Sequence, residues 1–335
     1  MPDALESFLI EFAGRYGDER LDVFDLKATS AEANGIALNG RILDEAVLSE
    51  LQSSLESHFP TARFIFDEVR VLRKIPPTTK TVSTNLTGLY AGPSWQAEML
   101  SQVFYGWKLE VLEENDAWAF VRQLDGYLGW VYRTYLTESP SPDPTHLVIA
   151  PATYVRAETT AGSPIVGRFV CGTPVQVVKW NGSYAEIDAQ VWGWVAASEL
   201  RAFEDLPKTT GERRALISAD AVRLTGVPYL QGGCSAMGID SAGFSYLLHR
   251  LVGVRIPRDS DMQFKAGRKI EPPFQVGDLL FFDANGQNRS GMHVGVSLGD
   301  WRILHSSRKR NGVYFDDVQD EGELRNSFIG ARSFI

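Results

Sequence analysis

Two stretches of this chain repeat one pattern, and that repeat constrains the fold more than any other feature. YGWKLEVLEENDAWAFVRQLDGYLGWV and CGTPVQVVKWNGSYAEIDAQVWGWV each run from a glycine through an alternating strand, a polar turn and an aromatic strand. Both end in Gly-Trp-Val, starting at Gly129 and Gly193. Short strands and glycine turns recurring at this spacing predict two small β-barrels in tandem. Prolines mark the limits. PPTTKT at 76–81 reads as a linker, and ESPSPDPTH at 138–146 cannot continue a helix or a central strand. A third boundary falls at 203–214. The expected modules are therefore 1–76, 77–140, 141–206 and 207–335.

The first module reads as a small α/β unit in the order helix–strand–strand–helix–strand. Leu5, Phe8, Leu9 and Phe12 recur at helical spacing. A second helix follows Asp44 as N-cap, with Leu48, Leu51 and Leu55 on one face. The pattern faintly resembles the BON module of bacterial envelope proteins. The tandem segments resemble paired bacterial SH3-like domains. Trp118, Trp130, Trp180, Trp192 and Trp194 form either a ligand-binding stripe or, as the stronger expectation, barrel core and rim.

Composition excludes several classes. With 44% hydrophobic residues the chain has ample apolar material to bury, so disorder is not its main state. A net charge of −9 leaves no concentration of positive charge for nucleic acid. Two cysteines, Cys171 and Cys234, make no disulfide framework. No apolar run is long enough to span a membrane. The acidic start MPDALESFLIEFAGRYGDER lacks the pattern of a secretory signal. A cytoplasmic location is the expectation, with an extracytoplasmic one open for a processed chain. His58, His146 and His249 are scattered and no Cys/His cluster has metal-ligand spacing, so neither metal nor cofactor is expected.

The chemistry gathers in the last module. A helix opens at Arg214. In GIDSAGFSYLLHRLVG, Phe244, Leu247, Leu248 and Leu251 fit a buried helix face, and Asp240 stands at the N-cap. Ser241 then occupies the first turn, where free N–H groups and partial positive charge favour an anion. Farther on, HVGVSLGDWRILHSS predicts a hairpin. Centred on Gly299, it makes His293 and His305 cross-strand neighbours, so that one imidazole can orient the other. Cys234 lies in a Gly-rich loop without a helix N-terminus and reads as a buried residue. Arg308, Lys309 and Arg310 read as a solvated strand end, with a contact for carboxylates as the weaker expectation.

PYLQGGCSAMGIDSAGF, RIPRDSDMQ, VGDLLFF, HVGVSLG and ILHSS, in this order, resemble the successive motifs of the NlpC-type cell-wall peptidases. These are papain-like cysteine peptidases. The resemblance implies an α+β chain: a small α/β module, two SH3-like barrels and a C-terminal papain-like domain. Together with the barrels it resembles γ-D-glutamyl-L-diamino-acid endopeptidases, which act on muropeptides with a free N-terminal L-Ala. The family pattern Asp-Cys-Ser-Gly is here Asp240-Ser241-Ala242-Gly243, and Gln231 stands where Trp is common. Ser241 thus falls on the nucleophile position, His293 on the general base and His305 on the orienting residue. Glu98, Tyr127 and Asp240 fall on positions that receive the substrate amine, and Tyr229, Asp259 and Ser260 on the pocket lining.

A serine hydroxyl is far more basic than a thiol and must lose its proton during attack. The resemblance therefore implies a muropeptide hydrolase with low or lost activity and surviving peptide binding. Three origins stand open for Ser241: an engineered knock-out, a natural inactive relative, or a working Ser-His-His hydrolase. The rival is a non-catalytic adaptor that holds peptidoglycan through its barrels. The expected partners are peptidoglycan-derived peptides such as L-Ala-γ-D-Glu-diamino acid.

Overall fold

The computed structural model describes residues 2–31, 35–139, 142–284, 291–320 and 322–335. They form two compact units, Met1–Lys80 with Lys108–Thr134, and Thr81–Trp107 with Tyr135–Ile335.

The first unit opens with α1 (Pro2–Ala13), two antiparallel strands (Phe24–Ala31 and Gly35–Ile42), α2 (Glu45–His58) and a third strand (Phe64–Val71) that runs parallel to the second. This is the expected order; the turn between the first two strands lies outside the described residues. Asp44 caps α2 by accepting the Val47 amide. The buried face of α2 is Val47, Leu51 and Leu55, with Leu48 at its margin. They meet Leu5, Leu9, Phe12 and Leu38 in one core. The strands Lys108–Glu114, Trp118–Arg122 and Leu128–Tyr132 form an antiparallel meander. Its Leu112 and Leu128 pack with Leu43 and Leu72.

In the second unit, Leu86–Tyr90 and Met99–Phe104 form a hairpin. The end of the expected linker is a strand, Thr79–Val82, because its β-branched residues pair with Leu136–Thr137. The second barrel closes around Val148, Val155, Phe169, Ala185, Ile187 and Val195, the inward residues of alternating strands. Trp180 and Trp192 stay outside, 54% and 60% exposed.

The C-terminal part begins with α3 (Thr210–Arg223), which starts ahead of Arg214 because Thr209 and Glu212 form a capping box. Then come α4 (Ser241–Leu251) and α5 (Ser260–Ala266). A six-stranded sheet follows, ordered 268–270, 328–333, 279–283, 292–297, 302–307, 312–317, with α6 (Gly322–Ser327) before its last strand in sequence. Phe244, Leu247, Leu248 and Leu251 of α4 are fully buried against Leu279, Phe281, Val294, Val296 and Leu304. Each such side chain contributes ~1.5–3 kcal/mol. That packing fixes α4 across the strands that carry both histidines.

Candidate active site

The approach to α4 is held by glycine and by one buried ion pair. Gly232 has a left-handed φ of +76°, and an added Cβ there would collide with the Met99 carbonyl. A Cβ on Gly243 would collide with the Gly233 carbonyl, so the first turn of α4 rests directly on this loop. Both oxygens of the N-cap Asp240 are engaged. Oδ1 accepts from the Gly243 amide at 2.6 Å and Oδ2 from the Gly232 amide at 2.8 Å. Arg258, 2% exposed, donates to both oxygens at 3.1 and 2.8 Å. It also donates to the Ser101 hydroxyl and the Gly233 carbonyl. The Cys234 amide donates to Gln102 Oε1 at 2.9 Å, and burial pushes the Cys234 thiol up, away from nucleophilic use.

Ser241 is 6% exposed, and its hydroxyl has no hydrogen-bond partner among the described residues. The amides of Ser241 and Ala242, at the start of α4, likewise have no acceptor among them. Two free N–H groups at a helix start are the donors that a developing oxyanion requires.

The histidines meet, though not by the expected register. The hairpin pairs Val296 with Leu304 and Ser297 with Ile303, so its centre is Asp300, not Gly299. Gly299 and Asp300 both take positive φ, and the Leu298 amide donates to the Arg302 carbonyl, so the turn sits one residue farther along the chain. His293 and His305 are therefore diagonal rather than opposite, a separation that aromatic side chains bridge. His293 Nε2 lies 2.6 Å from His305 Nδ1. His305 Nε2 lies 2.6 Å from Asp316 Oδ2, and Arg310 donates to Asp316 Oδ1 at 2.7 Å. Burial, with the neighbouring His305, holds His293 well below the usual histidine range. Burial raises the Asp316 carboxyl, but His305 and Arg310 reverse this and leave it below its ordinary value. Next to His305, the Ser306 hydroxyl donates to the Ile239 carbonyl at 2.6 Å, tying this strand to the chain entering α4.

Both histidines and Tyr229 open on a cavity of about 610 Å³. The Tyr229 hydroxyl donates to Gln231 Oε1 at 2.7 Å, and burial plus the Asp240 charge push its pKa up to about 12. The Ser260 hydroxyl donates to the Met292 carbonyl at 2.8 Å, beside His293, and Asp259 is the N-cap position of α5. Glu98 is exposed, one residue before the Met99 that abuts Gly232. Its carboxylate has no hydrogen bond or ion pair among the described residues. Tyr127 belongs to the first unit, where it is buried. Arg308, Lys309 and Arg310, expected as a solvated strand end, line the cavity, with Lys309 paired to Glu323.

Sequence reasoning missed Asp316, Arg258, Ser101 and Gln102. Arg258 lies inside RIPRDSDMQ, beside the two residues taken from that motif. Asp316 was within reach, since the strand after the basic turn pairs Tyr314 with His305 and so sets Asp316 diagonal to it.

Residues 226–332 match the NlpC/P60 family, and residues 89–136 match the bacterial dipeptidyl-peptidase Sh3 domain. A Bacillus subtilis protein named gamma-D-glutamyl-L-lysine dipeptidyl-peptidase is 30% identical over 225 residues, covering 64% of this chain and 74% of the relative. Dipeptidyl-peptidase 6 of Lysinibacillus sphaericus is 27% identical over 259 residues, 71% of this chain and 91% of that one. The crystal structure of an NlpC/P60 family protein from Bacillus cereus superposes with a TM-score of 0.65 at 19% identity, over 77% of this chain and 99% of that chain. That likeness carries the fold. The B. subtilis relative carries the kinship across three-quarters of its length. By that kinship the chain belongs to the NlpC/P60 family.

Proposed function

We propose that this chain recognises short peptidoglycan peptides with a free N-terminal L-Ala and a γ-D-Glu–diamino-acid bond. We propose further that serine at position 241 leaves their hydrolysis slow or absent. The observation that carries this reading is the hydrogen-bonded His293–His305 pair in the sheet that packs on a helix beginning at Ser241. The relatives named gamma-D-glutamyl-L-lysine dipeptidyl-peptidase support the substrate class.

In the hydrolytic direction, the Ser241 hydroxyl attacks the γ-carbonyl carbon of D-Glu while His293 takes its proton. The Ser241 and Ala242 amides receive the oxyanion. The diamino-acid amine leaves with the proton from His293, and water then hydrolyses the ester. The depressed His293 is neutral at pH 7, ready to accept a proton but a weak base for a hydroxyl. A cysteine thiol is far more acidic and suits such a base. For the substrate amine, Glu98 offers unengaged oxygens, and Asp240, whose oxygens are occupied, adds negative field.

The test is hydrolysis of L-Ala-γ-D-Glu-L-Lys and its meso-diaminopimelate counterpart by the chain and by Ser241→Cys, side by side. Cutting by Ser241→Cys alone is the expected result. If neither folded form cuts or binds either peptide, the reading fails. Binding of the free peptide but not of its N-acetylated form tests the amine pocket. The exposure of Trp180 and Trp192 favours a second reading, an adaptor that holds polymeric wall. Sedimentation with insoluble peptidoglycan, lost in a Trp180→Ala/Trp192→Ala double variant, would establish it instead.

A further inference from the structure

The two histidines do not end the hydrogen-bonded line; Asp316 does. We propose that Asp316 is a positioning residue that fixes the proton on both imidazoles and leaves Nδ1 of His293 as its one basic ring atom. With both imidazoles neutral, the deduction needs only donors and acceptors. Asp316, ionised and paired with Arg310 through its other oxygen, can only accept. His305 must therefore carry its proton on Nε2. Its Nδ1 is then a lone pair, and it can only accept. His293 must donate to it, so His293 carries its proton on Nε2. Nδ1 of His293 remains unprotonated and has no hydrogen-bond partner among the described residues.

Arg310 secures the end of the line. It binds Asp316 Oδ1 at 2.7 Å and stacks over Tyr314, 4.3 Å from the ring centroid. The other charged or titratable groups lining this cavity are Tyr229 ahead of α4, Asp283 on the adjoining strand, Arg308 and Lys309 on the basic turn, and Glu323 of α6. Among the described residues, only His305 and Arg310 bond the Asp316 carboxylate. When His293 accepts a proton at Nδ1 it becomes a cation, and the same line places a carboxylate behind that charge. A neutral group at 316 removes this support and allows His305 to carry its proton on Nδ1, which forces the wrong tautomer on His293. The same logic orders an Asp–His pair in serine peptidases.

This inference rests on the peptidase-like reading of the site, yet its first test does not need turnover. Nitrogen-15 imidazole spectra of the full chain at mildly alkaline pH should show both His293 and His305 protonated on Nε2. A proton on Nδ1 of either ring overturns the proposal. In Asp316→Asn an Nδ1-protonated population should appear; unchanged tautomers overturn it. The second test uses Ser241→Cys as the active form. There Asp316→Asn should lower kcat by about 100-fold with KM within about twofold, and Asp316→Glu should recover most of the loss. A loss confined to KM, or no loss, overturns the positioning role. If Ser241→Cys cuts no peptide, the functional reading falls, and the spectra still decide the proton positions.

Discussion

The two repeats share one sequence pattern, yet among the described residues only the first makes polar contacts at the front of α4; at the back its Trp107 stacks on Arg250, beside the contacts of the second. The Met99–Phe104 strand reaches the front, where Ser101 meets Arg258, Gln102 meets Cys234, and the Met99 carbonyl sits against Gly232. The second barrel reaches the back. Arg201 donates to the Leu251 carbonyl at 2.9 Å and to Asp220 of α3 at 2.8 and 3.1 Å. Ile149 and Cys171 join the apolar core with Leu247 and Leu251. The front contact ends on the groups that orient Ser241; the back contact ends on a helix terminus. A repeated fold unit can thus serve stability at both places and chemistry at only one.

The largest expected effects compare the two buried ion pairs. Arg258→Ala strands Asp240, and Arg201→Ala strands Asp220, which is 2% exposed. Removing one partner of a buried pair costs about 3–5 kcal/mol, so urea unfolding should register similar losses for both. Peptide binding should separate them. In the fraction that stays folded, Arg258→Ala loses affinity by at least ~10-fold, because Asp240 and the loop it holds are released. Arg201→Ala keeps its affinity within about twofold. Equal loss of binding in both would abolish the distinction between front and back.

A pH effect of intermediate size tests the back end. His249, in the last turn of α4, is fully buried, and desolvation lowers its pKa to about 4 from the ordinary 6.5. Between these values the unfolded chain binds the proton and the folded chain does not, so stability rises with pH across that window. The span of 6.5 to 4 corresponds to about 3 kcal/mol at ~1.4 kcal/mol per unit, present above pH 6.5 and lost toward pH 4. His293, depressed in the same direction, adds to the slope. Urea unfolding at a series of pH values should show the fall, and His249→Leu should remove its share of the slope and leave that of His293. An unchanged slope in that variant would place the acid sensitivity at the front.

Those expectations divide along the line of what the sequence made legible. Periodicity placed α2 and α4, and the Asp240 cap, because helix faces and caps are local properties. The opposed histidines were legible as a pair, but the register was not. A turn with two consecutive positive φ angles, at Gly299 and Asp300, shifts the hairpin centre; Gly-Asp marks a turn but does not fix which of the two residues is central. Arg258 and Gln102 were illegible for a different reason. Their partners Asp240 and Cys234 are distant in sequence, and long-range polar pairing leaves no period to read. In the sequence Asp240 reads as an available carboxylate; in the fold Arg258 occupies it.

The smallest effect sharpens the comparison at the front. Gln102, 6% exposed, spends its side-chain oxygen on the Cys234 amide. Gln102→Ala leaves that buried N–H without an acceptor, a cost of about 1–3 kcal/mol. No charge is stranded, so the loss should fall below that of Arg258→Ala. The loop 232–240 is nonetheless anchored through Cys234, and Asp240 takes its second backbone donor from Gly232 in that loop. Peptide affinity should therefore fall by a few-fold with the modest change in stability. On the second barrel, Thr153, 1% exposed and hydrogen-bonded to Glu199, is a matched control. Thr153→Val should lower stability on a similar scale and leave peptide affinity unaltered. If the two variants moved affinity equally, the front strand would be a support like any other, and its polar residues would have no particular claim on the site.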